Sequence, residues 1–159
     1  MKLSDAAYEK IEREIAKFPA GKKRSAAIAA MAIAQDETRW LSPEIMQEIA
    51  DYLDVPVIAI EEIASFYSMF DTSPVGKYKI TVCTNLPCEF SGSIQAAQHL
   101  QIRLGIGFGE TTHDGMFTLI EGECMGSCGD GPVLLINNKR MHMRMSNGKI
   151  DRLLEELKK

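Results

Sequence analysis

A chain of 159 residues, 45% hydrophobic and 25% charged, is long enough to bury one core or two small ones without disulfide staples. Its net charge of −4 argues against a surface that tracks nucleic-acid phosphates, which needs a basic excess to displace counterions. The short run Lys22-Lys23-Arg24 reads as a solvated loop. No stretch approaches the roughly 20 consecutive apolar residues that span a bilayer, and Met1-Lys2-Leu3-Ser4 leads into a polar amphipathic helix instead of a signal sequence. The expectation is a cytoplasmic protein. Its four cysteines then stay reduced, and their bunching into two close pairs points to metal or redox chemistry.

Residues 4–70 read as a helical bundle. Tyr8, Ile11, Ile15 and Phe18 recur at helical spacing, and the Ala-rich run 26–34 has high helix propensity. A third helix begins at Ser42-Pro43 and runs to about Leu53. Serine accepts a hydrogen bond from a free first-turn amide, and proline at the first helical position has no amide to leave unpaired. Beyond Asp54-Val55-Pro56, the spacing of Ile60, Ile63, Ala64, Tyr67 and Met69 predicts a fourth helix ending near Phe70. Helix facing puts Phe66 and Phe70 in the core and Tyr67 or Met69 on the surface. Trp40 reads as a packing residue.

Residues 71–76 are a run of turn formers, after which the hydrophobic period changes from helical to alternating. The domains are accordingly 1–72 and 73–159. Tyr78, Ile80 and Val82 alternate with Lys77, Lys79 and Thr81, which fits a strand with one buried face ending at Cys83. Ser91 is expected to cap a helix carrying Ile94, Ala97, Leu100 and Leu104, stopped by Gly105. Residues 116–121 form a second strand, and the apolar run 132–136 a third suited to cover on both faces. Residues 140–145 form an outer fourth strand after an Asn137-Asn138 turn. Ile150, Leu153, Leu154 and Leu157 mark a closing amphipathic helix. The fold class is α+β.

Cys83 and Cys88 are separated by four residues, Cys124 and Cys128 by three, and thirty-five residues lie between the pairs. Both pairs fall in loops. Four thiolates from two loops can supply two ligands to each iron of a 2Fe-2S rhomb, the first pair on one iron and the second on the other. Gly126, Gly129 and Gly131 permit unusual dihedrals and leave amides free to approach thiolate or sulfide, and they serve equally well as a turn before Pro132. Met125 is placed to shield such a cluster or to fill a gap. Structural zinc is the rival reading, since both spacings fall in the roughly two-to-four-residue range of four-cysteine zinc sites. A Rieske-type centre takes two histidines, whereas His99, His113 and His142 fall on a helix, a loop and a strand. The Cys-x-x-Cys of thioredoxin-type redox chemistry is absent, and so is the third cysteine of plant-type ferredoxins. Gly105-Ile-Gly107-Phe-Gly109 follows a helix rather than a strand and lacks the third glycine of a dinucleotide loop. Nothing pairs Glu61-Glu62 or Glu155-Glu156 with an activated nucleophile, so acid–base catalysis has no support.

Cys83-Thr-Asn-Leu-Pro-Cys88, followed by Cys124-Met-Gly-Ser-Cys128-Gly-Asp-Gly-Pro132, resembles the ligand pattern of the thioredoxin-like 2Fe-2S ferredoxins. Trp40-Leu41-Ser42-Pro43 and Ala64-Ser65-Phe66-Tyr67-Ser68-Met69-Phe70 resemble segments of one branch, the E subunits of bacterial NADH:quinone oxidoreductase (respiratory complex I), and stand-alone members lack them. The resemblance spans essentially the whole chain. It implies a helical bundle followed by a thioredoxin-like α/β domain, with one 2Fe-2S cluster held by Cys83, Cys88, Cys124 and Cys128. It implies one-electron transfer, with no hydride transfer and no NADH bound by this chain. It also implies docking on the flavin- and NADH-binding F subunit, in a peripheral arm on the inner face of the plasma membrane. Glu89-Phe90-Ser91 departs from the family, whose members often carry His and another apolar residue there. The corresponding small subunit of an NAD-linked hydrogenase or formate dehydrogenase resembles the chain in both domains. A zinc-stabilised interaction module without a redox role is the reading of another class.

Overall fold

The computed structural model describes residues 2–159, arranged as two compact units divided between Pro74 and Val75. Met1, read above as leading into the first helix, lies outside the described residues.

The first unit holds the α-helices α1 (Asp5–Ile15), α2 (Ala27–Thr38), α3 (Pro43–Leu53) and α4 (Val57–Phe66). Ser4 caps α1 by accepting from the Ala7 amide at 3.2 Å. Ser42 caps α3 by accepting from the Ile45 amide at 3.3 Å, with Pro43 in the first helical position. Ala27, Ala30, Met31 and Ala34 of α2 are buried, and these mostly small side chains let α1 and α3 pack close. Two ends differ from the sequence expectation. Helix α1 stops at Ile15, which leaves Phe18 outside it and exposed. Helix α4 stops at Phe66, because Tyr67 swings to an extended conformation with φ −94° and ψ 116°. Gln35 holds that turn from α2: its Nε2 donates to the Met69 carbonyl at 2.9 Å and its Oε1 accepts from the Asp71 amide at 2.7 Å. The turn buries Phe70 but leaves Phe66 80% exposed, the reverse of the core position that helix facing assigned to Phe66. Tyr67 and Met69 are on the surface, and Trp40 is half-buried.

The second unit runs β1 (Tyr78–Cys83), α5 (Leu86–Glu89), α6 (Ser93–Leu104), β2 (Phe117–Gly122), β3 (Leu134–Ile136), β4 (Arg140–His142) and α7 (Asn147–Leu157). The sheet order is β2-β1-β3-β4, with β1 and β2 parallel and β3 antiparallel to both of its neighbours. A parallel pair needs a crossover, and α6 supplies it. Ser91 does not cap α6. Its amide bonds the Cys88 carbonyl at 3.0 Å and extends the α5 turn, and Gly92, in the left-handed region at φ 90°, starts α6 instead. Gly105 caps the other end at φ 68°, which accounts for it without any cofactor role.

Ile80, Val82, Leu100, Leu119, Leu134 and Ile150 are fully buried in the core of this unit. Lys79, expected on an exposed face, is buried. Leu135 is only half-buried, so β3 is not covered equally on both faces. Asn137 and Asn138, at φ 51° and 56°, make the hairpin between β3 and β4, and the Asn137 Oδ1 accepts from the Lys79 amide at 2.7 Å. Strand β4 ends at His142, short of the expected Met145, because the Arg144 and Met145 amides turn away to the carbonyls of Asp130 and Pro132.

Leu100 packs beneath the two parallel strands at 0% exposure. Leu100→Ala is expected to cost about 2–5 kcal/mol of unfolding free energy, from lost transfer energy and the cavity left behind. Denaturant titration followed by circular dichroism measures it; a loss under about 1 kcal/mol would mean that α6 does not anchor this core.

Candidate metal centre

In the register of β1 and β2, Cys83 stands opposite Gly122 at one end of the sheet. From that end β1 passes through Thr84 and Asn85 into α5, which carries Cys88, and β2 passes into the segment 123–133, which carries Cys124 and Cys128 before returning as β3. The two loops are tied at their roots. The Cys83 amide donates to the Val133 carbonyl at 3.1 Å and the Thr84 amide to the Gly122 carbonyl at 3.3 Å. Thr84 Oγ1 donates to Glu121 Oε1 at 2.9 Å, and Asn85 Nδ2 to Glu123 Oε2 at 3.4 Å. The sequence carried no sign of these ties, because each joins residues more than thirty positions apart.

The thiols stand as two unlike pairs. Cys83 and Cys88 are each 1% exposed and pack with Val133 and half-buried Met125. Cys124 is exposed and Cys128 half-buried, with their Sγ atoms 3.7 Å apart. The Gly126 amide donates to the Cys124 Sγ at 3.4 Å. Burial, then the hydrogen bond with Cys83, then the charges of Cys83, Cys128 and Cys124 push the Cys88 thiol up to about 12. The hydrogen bond with Cys124, then burial, then the charges of Cys124 and Cys83 raise that of Cys128. Both shifts disfavour the thiolate in the metal-free chain, and a bound cation would favour it.

Of the three glycines in the second loop, only Gly126 takes a positive φ, of 75°. Gly131 has an ordinary φ of −62° and is needed for a different reason. A Cβ there would lie 2.9 Å from the Ser91 Cβ and 3.6 Å from the Cys88 Cα, so the missing side chain lets the second loop close on the first. The Gly131–Pro132 peptide is cis. Among the described residues no group of three or more His, Cys, Asp or Glu gathers as a single-ion site. The four sulfurs stand as two pairs, Cys83 with Cys88 and Cys124 with Cys128, and an all-cysteine 2Fe-2S cluster takes two ligands per iron. The histidines lie elsewhere: His99 Nε2 is 2.9 Å from Asp151 Oδ1, His113 is an exposed loop residue, and His142 is on β4. Burial, with Arg140 second, holds the His142 imidazole below its usual range.

The family model of the thioredoxin-like 2Fe-2S ferredoxins matches residues 11–158. The second NADH-quinone oxidoreductase E subunit of Rhizobium meliloti (strain 1021) is 37% identical over 150 residues, which are 94% of this chain and 88% of that protein. The NADH-quinone oxidoreductase E subunit of Rickettsia typhi (strain ATCC VR-144 / Wilmington) is 39% identical over 146 residues, 91% of this chain and 85% of that protein. The crystal structure of an NAD+-reducing NiFe hydrogenase in its H2-reduced state aligns with 80% of this chain at a TM-score of 0.69 and 25% identity. This chain spans only 22% of that hydrogenase chain. Taken with the pairing of the thiols, a match running from α1 to the last turn of α7 means that the chain belongs to the thioredoxin-like 2Fe-2S ferredoxins, in the branch of the NADH-quinone oxidoreductase E subunits.

Proposed function

We propose that this chain is the one-electron carrier subunit of a respiratory NADH:quinone oxidoreductase. Cys83 and Cys88 hold one iron of a 2Fe-2S cluster, and Cys124 and Cys128 the other. The observation that carries the proposal is the placing of two cysteine pairs at one end of the four-stranded sheet, one pair buried and the other with Cys124 open to solvent. When bound, the cluster supplies reversible one-electron redox chemistry. The chain's own part is to ligate, to exclude water and to present an accessible side. Cys83, Cys88, Val133 and Met125 close the inner side. Cys124 leaves the outer side within reach of a partner, and the exposed Leu86 and Phe90 flank Cys88 on the chain's first cysteine loop.

The partner in this reading is the flavin- and NADH-binding F subunit, in the peripheral arm of the complex on the inner face of the plasma membrane. Its support is the whole-length likeness to E subunits. Among the described residues no helix is long and apolar enough to cross a membrane. The hydrogenase likeness favours a second reading, the equivalent subunit of an NAD-linked hydrogenase or formate dehydrogenase, but it rests on 25% identity against 37–39% for the E subunits.

Purified protein is expected to be reddish-brown, with two irons and two acid-labile sulfides per chain and an electron paramagnetic resonance signal on reduction. A colourless chain with one zinc and no sulfide would replace the cluster by a structural metal. Cys→Ser at any of positions 83, 88, 124 and 128 should weaken or abolish the cluster; an unchanged visible spectrum at one of them removes that residue from the ligand set. In the metal-free chain at pH 8, iodoacetamide should modify Cys124 first and Cys88 last. A group pushed up to about 12 is ionised in only about one molecule in 10,000 at that pH, and its reactivity grows as pH rises toward that value. Mass spectrometry of timed samples reads the order, and early modification of Cys88 contradicts the buried-pair geometry.

A further inference from the structure

The segment between β4 and α7 grips the second cysteine loop along its length. Ser127 Oγ donates to Met143 Sδ at 3.3 Å, the Arg144 amide donates to the Asp130 carbonyl at 2.8 Å, and the Met145 amide donates to the Pro132 carbonyl at 3.0 Å. The Arg144 guanidinium adds two charged hydrogen bonds, from Nε and Nη2 to the same Asp130 Oδ1, each at 2.8 Å. Arg144 sits at φ 52°, a conformation that side-chain-bearing L residues rarely adopt, and from it both the amide and the guanidinium reach Asp130. Asp130 in turn ends the 3-10 turn Cys128–Asp130, so the clamp closes two residues from a ligand thiol.

An ion pair whose side chains are 74% and 39% exposed adds little to global stability. Its effect is local. We propose that Arg144 is a positioning residue for the cluster: through Asp130 it holds the Cys124–Cys128 loop in its ligand-pairing shape and cancels the carboxylate's charge beside Cys128. The inference rests on the cluster reading above and goes beyond it, since Asp130 and Arg144 ligate nothing themselves. An uncompensated carboxylate near an anionic cluster disfavours the extra electron, and an uncompensated guanidinium favours it.

The test compares Arg144→Asn, Arg144→Lys and Asp130→Asn with the wild-type chain, all purified with their clusters and checked for folding by circular dichroism. Asparagine removes the guanidinium and still tolerates left-handed backbone. Redox titration followed by electron paramagnetic resonance should show the midpoint falling in Arg144→Asn and rising in Asp130→Asn. Each shift should change the ratio of reduced to oxidised cluster at the wild-type midpoint by about threefold or more. Arg144→Lys should lie close to wild type. Under a chelator challenge the cluster of Arg144→Asn should be lost severalfold faster, with the lysine variant restoring most of the lifetime. Opposite signs are the decisive readout, because a merely structural contact would not produce them. If the wild-type cluster forms but the two neutralising variants share a midpoint with it, or shift together, this inference alone falls. If the wild-type chain holds no iron and sulfide, the cluster reading falls and takes the inference with it.

Discussion

The parallel pairing of β1 with β2 is the constraint on which the metal centre depends. Parallel strands end at the same side of a sheet, so the chain leaving Cys83 and the chain leaving Gly122 emerge together although they are distant in sequence. The antiparallel β3 completes the arrangement, since it must begin where β1 ends. The connection from β2 to β3 is thereby confined to the same end, and that connection carries Cys124 and Cys128. Remove the parallel register and the two cysteine pairs have no reason to meet.

Proximity is then opposed by electrostatics. Burial and neighbouring sulfur raise the cost of ionising Cys88 and Cys128, a cost that a bound cation offsets. The two cysteine pairs differ in access as well as in sequence position. One pair lies against Val133 and Met125, and the other has its outer member open to solvent. An electron carrier needs that asymmetry: low-dielectric packing on one side and a short approach for a partner on the other.

The second loop has little regular structure, and it is held by contacts within itself and from outside. Gly131 admits it against Ser91 and Cys88, the Gly126 amide caps the Cys124 sulfur, and the Arg144–Asp130 pair fastens its far end. Strand β4 is shortened as a result, because the amides that would have continued the ladder are used on the loop. A sheet edge has been given up to shape a ligand loop.

The cysteine pairs, the Ser42-Pro43 helix start and the class of fold were legible in the residues themselves. Cysteine spacing is a local property, Ser42-Pro43 caps its own helix, and the periods around Ile80, Leu100 and Leu153 act within one element. Readings that depended on a distant partner went otherwise. Helix facing placed Phe66 inside, yet it is 80% exposed, while Gln35 from another helix holds the turn that follows and buries Phe70. Alternation placed Lys79 outside, yet the folded chain buries it. Ser91 had the chemistry of a cap, but Gly92 takes the N-cap position of α6, and nothing near Arg144 in sequence announces Asp130. Local chemistry and period were written in the chain, whereas strand order, loop fastening and the protonation of the thiols were decided by tertiary structure, because each depends on groups that only folding brings within a few ångströms.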